Sequence, residues 1–216
     1  MRIFYVCSYG GCASTMLCRF LSKYYKVFHI HSRYPPPKLC GIKKTKITKE
    51  FEWFDYLRIL KKKYKNKVTV IYLYREPSTS LLSKHGWGRP HFSNIGLNPN
   101  KVRKFYDKSI ETRLKYSKEK KDLFGIVNFF KNYVVKKYNR NYKIFCLKYE
   151  TIWENLSEIF KKLKIPQKYI EDFPKKYEKK LSEKQEKAKE NLKKKYKNLE
   201  LFMKRLPPIF VIRPRR

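Results

Sequence analysis

The chain has 216 residues, of which 42% are hydrophobic and 17% aromatic, enough apolar material for one domain with a sizeable core and too much for a disordered chain. Its 54 Lys and Arg against 18 Asp and Glu give a formal net charge of +36, which draws anionic ligands toward the surface. No apolar run reaches the roughly 18 residues of a membrane span, and the run after Arg2 is too short for a secretory leader. The expectation is a cytoplasmic protein with no membrane span.

The five cysteines, Cys7, Cys12, Cys18, Cys40 and Cys146, contain no CxxC pair. That argues against a zinc ribbon or a disulfide framework and for a reducing setting, with Cys7 and Cys146 as packing residues inside apolar runs.

In chain order, Ile3 to Cys7 is a continuous apolar run closed by Ser8-Tyr9-Gly10-Gly11, the pattern of a strand buried on both faces. Met16, Leu17, Phe20, Leu21 and Tyr24 then recur at helical spacing behind Ser14-Thr15. Val27 to His31 predicts a second strand, stopped by Pro35-Pro36-Pro37. A basic loop to about Lys49 leads to an amphipathic helix carrying Phe51, Trp53, Phe54, Leu57 and Leu60. Val68 to Tyr74 is the clearest strand. Residues 85–120, with Gly86, Gly88, Pro90, Gly96 and Pro99, read as an excursion from the sheet, a lid or acceptor loop. Asp122 caps a helix through Val135, Tyr142 to Leu147 is a strand, and Ile152 to Leu163 a helix. Phe173 to about Leu206 reads as one long Lys/Glu-rich helix, solvated on most faces and anchored by Leu181, Leu192, Tyr196 and Leu199. The tail Pro207 to Ile212 reads as an edge strand or a segment docked on the core. Strands alternating with helices predict a single α/β domain, residues 1–216, with a core over about 1–165 and a helical C-terminal extension over about 166–216. Its central, mainly parallel sheet is flanked by helices on both faces.

In such sheets ligands bind at the carboxyl ends of the strands. After the first strand, Gly10-Gly11-Cys12-Ala13-Ser14-Thr15 puts small residues and hydroxyls just ahead of a helix start, where free N–H groups and the positive dipole end favour a phosphate. A small-residue turn before a helix also arises from tight packing alone. It is not a Walker A loop, because no lysine precedes Ser14. After the third strand, Arg75 and, eight residues on, Ser83 offer an arginine fork and a hydroxyl for a second phosphate. Each is equally an ordinary surface residue when taken alone.

Together these segments resemble the PAPS-dependent sulfotransferase family. Ser14, Thr15, Arg75, Pro77 and Ser83 match its phosphosulfate loop and its strand–Arg-x-Pro…Ser element in order, and Lys148-Tyr149-Glu150-Thr151-Ile152 is similar to its late strand–Tyr-Glu–helix segment. The resemblance covers roughly residues 1–165 and implies a three-layer P-loop-like fold that binds PAPS or PAP. Backbone N–H groups of Gly11, Cys12, Ala13, Ser14 and Thr15, with the two hydroxyls, would hold the 5′-phosphosulfate, and Arg75 and Ser83 the 3′-phosphate. Sulfate would pass to a hydroxyl acceptor (a sugar, a tyrosine or a small alcohol). The family's loop lysine is replaced by Gly10 or Gly11; Lys148, Arg19 or a lysine of residues 38–49 are candidate substitutes, and Lys204, Arg205 or Arg213 candidates for a C-terminal basic contact. His31 is the expected base, with His29 on the same strand face and His85 and His91 as alternatives. The Lys-, Tyr- and Asn-rich style also resembles sulfotransferase-like proteins of large DNA viruses, which implies a host-cytoplasm or virion setting. A rival reading takes the +36 charge and the missing lysine as marks of a catalytically silent descendant that binds nucleic acid through its basic surface, or a virion partner; an AT-rich codon bias yields the same charge with no role. A small-molecule P-loop kinase is a third reading.

Overall fold

The computed structural model describes residues 2–35, 68–83, 99–105, 107, 109–136, 138, 140, 142–177 and 180–214. The expected helix around Trp53 and Phe54, the loop lysines of 38–49, and His85 and His91 lie outside them.

Strands β1 (Ile3–Ser8), β2 (Lys26–Ile30), β3 (Val68–Tyr74), β4 (Ile144–Lys148) and β5 (Ile209–Ile212) form one sheet in the order β2-β1-β3-β4-β5. The first four are parallel, with registers Cys7↔Ile30, Ser8↔Leu73 and Tyr74↔Lys148, and β5 runs antiparallel to β4. The fold is therefore α/β, built on a five-stranded, mostly parallel mixed sheet flanked by helices.

The strand runs are continuously apolar because each face has its own cover. On one side Tyr5, Cys7, Val70, Tyr72 and Tyr74 pack in a core with Phe129, Phe130 and Tyr133 of α4 (Ile126–Val134). On the other, Phe4, Val6, Ile71 and Leu73 share a core with Leu17, Phe20 and Leu21 of α1 (Ser14–Ser22) and Ile159, Phe160 and Leu163 of α5 (Leu156–Leu163). Burying each such side chain is worth about 1.5–3 kcal/mol.

Several expectations need correction. The segment 85–120 is not all excursion: a 3-10 turn (Pro99–Phe105) and α3 (Ile110–Ser117, following α2, Pro77–Leu82) bury Val102, Phe105 and Tyr116, and Ser109 Oγ caps α3 at Thr112 N. Asp122 lies outside the helix it serves. Its carboxylate accepts from Ile126 N and Val127 N, while left-handed Gly125 opens α4. The long C-terminal helix is two helices, α6 (Glu183–Lys195) and α7 (Lys197–Lys204), broken at Tyr196, and residues 174–177 and 180–182 are not helical.

The break has a polar cause. Tyr196 OH donates to Asp122 Oδ1 at 2.9 Å and sits 2.7 Å from Tyr116 OH, with both tyrosines in the core, and a buried hydroxyl is costly unless satisfied. The pair is anchored as expected at Leu192, Tyr196 and Leu199, with Ala188 and Met203 also buried. Within the tail 207–212, β5 (Ile209–Ile212) is an edge strand, so the C-terminal segment completes the sheet.

Candidate anion-binding site

The chain leaves β1 for β2 on one side and returns to β3 on the other, which makes the carboxyl ends of β1 and β3 the switch point where ligands bind in open α/β sheets. Two of the sequence-predicted segments meet there. The loop between β1 and α1 takes Gly10 to φ 111°, Gly11 to 67° and Ala13 to 56°. Left-handed Gly11 and Ala13 alternate with Cys12 and Ser14, which are not left-handed, the backbone alternation on which anion-binding nests are built. Ala13 is costly in that region, and α1 starts directly from it through Met16 N to Ala13 O at 3.0 Å.

Helix α2 locks the loop in place. Ser80 Oγ donates to Gly10 O at 2.7 Å, and Cys12 Sγ lies 3.2 Å from Gly10 O and 3.5 Å from Ser80 Oγ. Burial pushes the Cys12 thiol up to about 11, so it stays protonated and donates. A Cβ on Gly11 would meet Ser80 O at 2.3 Å and Ser83 Cβ at 3.0 Å, so no side chain fits at Gly11 in this arrangement. Ser83 is thereby beside the loop, although not two turns along a helix: α2 ends at Leu82 and Ser83 is the first extended residue beyond it.

Arg75 leaves β3 toward the same loop. Its Nη1 reaches Gly11 O at 3.5 Å, its guanidinium lies 4.1 Å from the Tyr149 ring centroid, and its Nε is 3.9 Å from Glu150 Oε1. Glu150 Oε1 is already engaged by Glu76 N at 2.9 Å. Arg75 Nε and Glu150 Oε2 are thus left buried with no hydrogen-bond partner, and buried polar atoms in that state call for a ligand or water. Burial holds the Glu150 carboxyl above its usual range, with the Glu76 amide opposing that shift.

Beneath the loop is a polar cluster that the sequence placed only in part. Ser8 Oγ donates to Ser14 Oγ at 2.8 Å, and His29 Nε2 is 2.7 Å from that same Ser14 oxygen. His31 Nδ1 is 2.8 Å from Ser8 O and 3.3 Å from Ser8 Oγ, and the two imidazoles are 4.3 Å apart. A carbonyl only accepts, so Nδ1 of neutral His31 carries the hydrogen and Nε2 the lone pair. Burial lowers both histidines, with His31 adding to the effect on His29, which falls to about 3. Both are neutral near pH 7. Thr15 is exposed on α1.

Two candidate substitutes for the loop lysine fall among the described residues. Arg19 sits in the last turn of α1, and Lys148 Nζ donates to Lys204 O at 3.4 Å. Of the candidates for a C-terminal basic contact, Arg213 accepts from Arg140 Nη2 through its backbone carbonyl at 3.2 Å. Two supporting residues were missed: Ser80 and Glu200, whose buried carboxylate accepts from Ser78 N at 3.0 Å. The signal for Glu200 was a carboxylate inside the run Leu199-Glu200-Leu201-Phe202.

No family model matches the chain, and neither does any curated protein or solved structure. What the fold and the site define is an α/β protein with a small-residue loop, an arginine and a pair of neutral histidines gathered at the switch point of its sheet.

Proposed function

We propose that this chain is a sulfotransferase-like protein with a three-layer P-loop-like fold, which binds PAPS or PAP at the carboxyl ends of β1 and β3. The observation that carries the reading is the meeting of the 10–15 loop with Arg75 and Ser83 at the switch point, with Arg75 Nε buried and without a hydrogen-bond partner. The amides of Gly11 to Thr15 would hold the 5′-phosphosulfate, and Arg75 and Ser83 the 3′-phosphate. PAPS, when bound, supplies the sulfuryl group that an acceptor hydroxyl takes up, leaving PAP. His31, with its lone pair on Nε2, takes the acceptor's proton. The acceptor class is a hydroxyl of a sugar, a tyrosine or a small alcohol.

A second reading, binding without transfer, is favoured by one specific observation. Gly11 has no room for a lysine, and a preorganised cation at developing charge is usually a large part of catalysis. On that reading the basic surface engages nucleic acid or a virion partner.

Calorimetric titration of PAP against ADP and ATP tests the site. PAP is expected to bind about 10- to 150-fold more tightly than ADP, the worth of one charge-assisted contact to the 3′-phosphate, and Arg75→Ala to erase the difference. Absence of PAP binding overturns the reading. If PAP binds but labelled PAPS transfers nothing to any hydroxyl acceptor, the binding-only reading stands.

A further inference from the structure

The Ser14 hydroxyl lies in a hydrogen-bond chain whose direction is open at one link. Ser14 is buried and opens α1, within the 10–15 loop read here as the anion site. That oxygen has one hydrogen and two lone pairs. Ser8 Oγ–H occupies one lone pair at 2.8 Å. The remaining contact, to His29 Nε2 at 2.7 Å, has two directions. With the imidazole hydrogen on Nδ1, Ser14 spends its hydrogen on His29 and offers an arriving anion only lone pairs. With the hydrogen on Nε2, His29 fills the second lone pair and the Ser14 hydrogen is left to donate elsewhere. Burial keeps the ring neutral, so exchange between the two tautomers involves no change of charge.

We propose that His29 is a positioning residue for this site: it donates its Nε2–H to Ser14 Oγ and thereby makes the Ser14 hydroxyl a donor to the bound phosphosulfate or phosphate. The inference rests on the reading of this loop as an anion site. An anion accepts and never donates, so its arrival selects the Nε2–H tautomer, and an imidazole can make that exchange where a fixed acceptor cannot. His29 is also spatially tied to the loop through Ser14 although fifteen residues separate them. The parallel register of β1 and β2, with Val6 opposite His29, brings it there.

The test reads the His29 tautomer by two-bond 1H–15N correlation spectra of the intact chain, alone and with PAP, inorganic sulfate or pyrophosphate. The expected result is the Nε2–H pattern in every anion-bound state. Alongside it, Ser14→Ala and His29→Phe are each expected to weaken PAP binding about 5- to 10-fold, with the double variant no weaker than either alone. His29→Gln, whose amide also donates at that reach, should restore binding. An Nδ1–H pattern with anion bound overturns the inference, as does a folded His29→Phe variant that binds PAP like the parent while Ser14→Ala is weakened. If PAP does not bind but sulfate or pyrophosphate does and sets the Nε2–H tautomer, the inference stands and the PAPS reading falls. If no anion binds, both fall. The tautomer measurement needs no variant, so failure of His29→Phe to fold leaves the decision intact.

Discussion

Gly11 carries two constraints at once: a φ of 67° and a neighbouring carbonyl, Ser80 O, 2.3 Å from where a Cβ would stand. A lysine restored at this position therefore does not rebuild the sulfotransferase pattern. Gly11→Lys or Gly11→Ala is expected to cost about 2–4 kcal/mol of stability, from left-handed strain plus overpacking, measured by urea unfolding. His29 makes a second residue-scale prediction. Its imidazole titrates at about 3 in the folded chain and near the ordinary value of 6.5 when unfolded. Between those values the unfolded state binds the extra proton, so stability falls as pH drops below about 6.5, with a slope of up to about 1.4 kcal/mol per pH unit for one such group. His31 is lowered too and adds in the same direction. Denaturation midpoints between pH 4 and 7 check this, and His29→Gln should flatten the profile. Both effects depend on close neighbours from other strands and helices, so only the residue types, not these contacts, were legible in the sequence.

Helix α2 is six residues long, too short to hold itself together. It is held by its surroundings. Glu150, from the turn after β4, accepts from Glu76 N, and Glu200, from α7, accepts from Ser78 N. Since α2 carries Ser80 and leads into Ser83, these two carboxylates fix the wall against which the 10–15 loop rests. Glu200→Ala is expected to cost about 1–3 kcal/mol, because it leaves a buried N–H unpaired. It should also speed amide exchange over residues 76–83 while leaving β1 and β4 protected; Glu200→Gln, which keeps an acceptor, should do much less. The strands themselves were legible because each is a short, unbroken apolar run needing two covered faces. The split of the C-terminal helical segment was not legible, since α6 and α7 separate at a tyrosine whose partners, Tyr116 and Asp122, are about 80 and 74 residues away.

At the scale of the whole molecule the +36 charge and the site make separable claims. Contacts between dispersed surface lysines and a polyanion weaken steeply with salt, whereas a ligand seated among buried groups is screened much less. PAP at about a hundred times its Kd should add roughly 2.7 kcal/mol to the native state and raise the melting midpoint by about 5–10 °C. Thermal scans at low and high salt check this. The shift should persist at high salt and vanish with Arg75→Ala, and a shift that disappears with salt alone would favour the basic-surface reading. Among the described residues no helix is long and apolar enough to cross a membrane. By itself the sequence determined the α/β class, the strands, the small-residue loop and the arginine that follows β3, because local apolar periodicity and local chain chemistry encode those. Only the tertiary structure decided that the loop rests on Ser80, that Glu150 and Glu200 hold the wall behind it, and that Ser14 meets His29 beneath it. Those contacts come from strand register and from packing between segments up to about 120 residues apart, and no local pattern in a chain records which distant residue will stand opposite which.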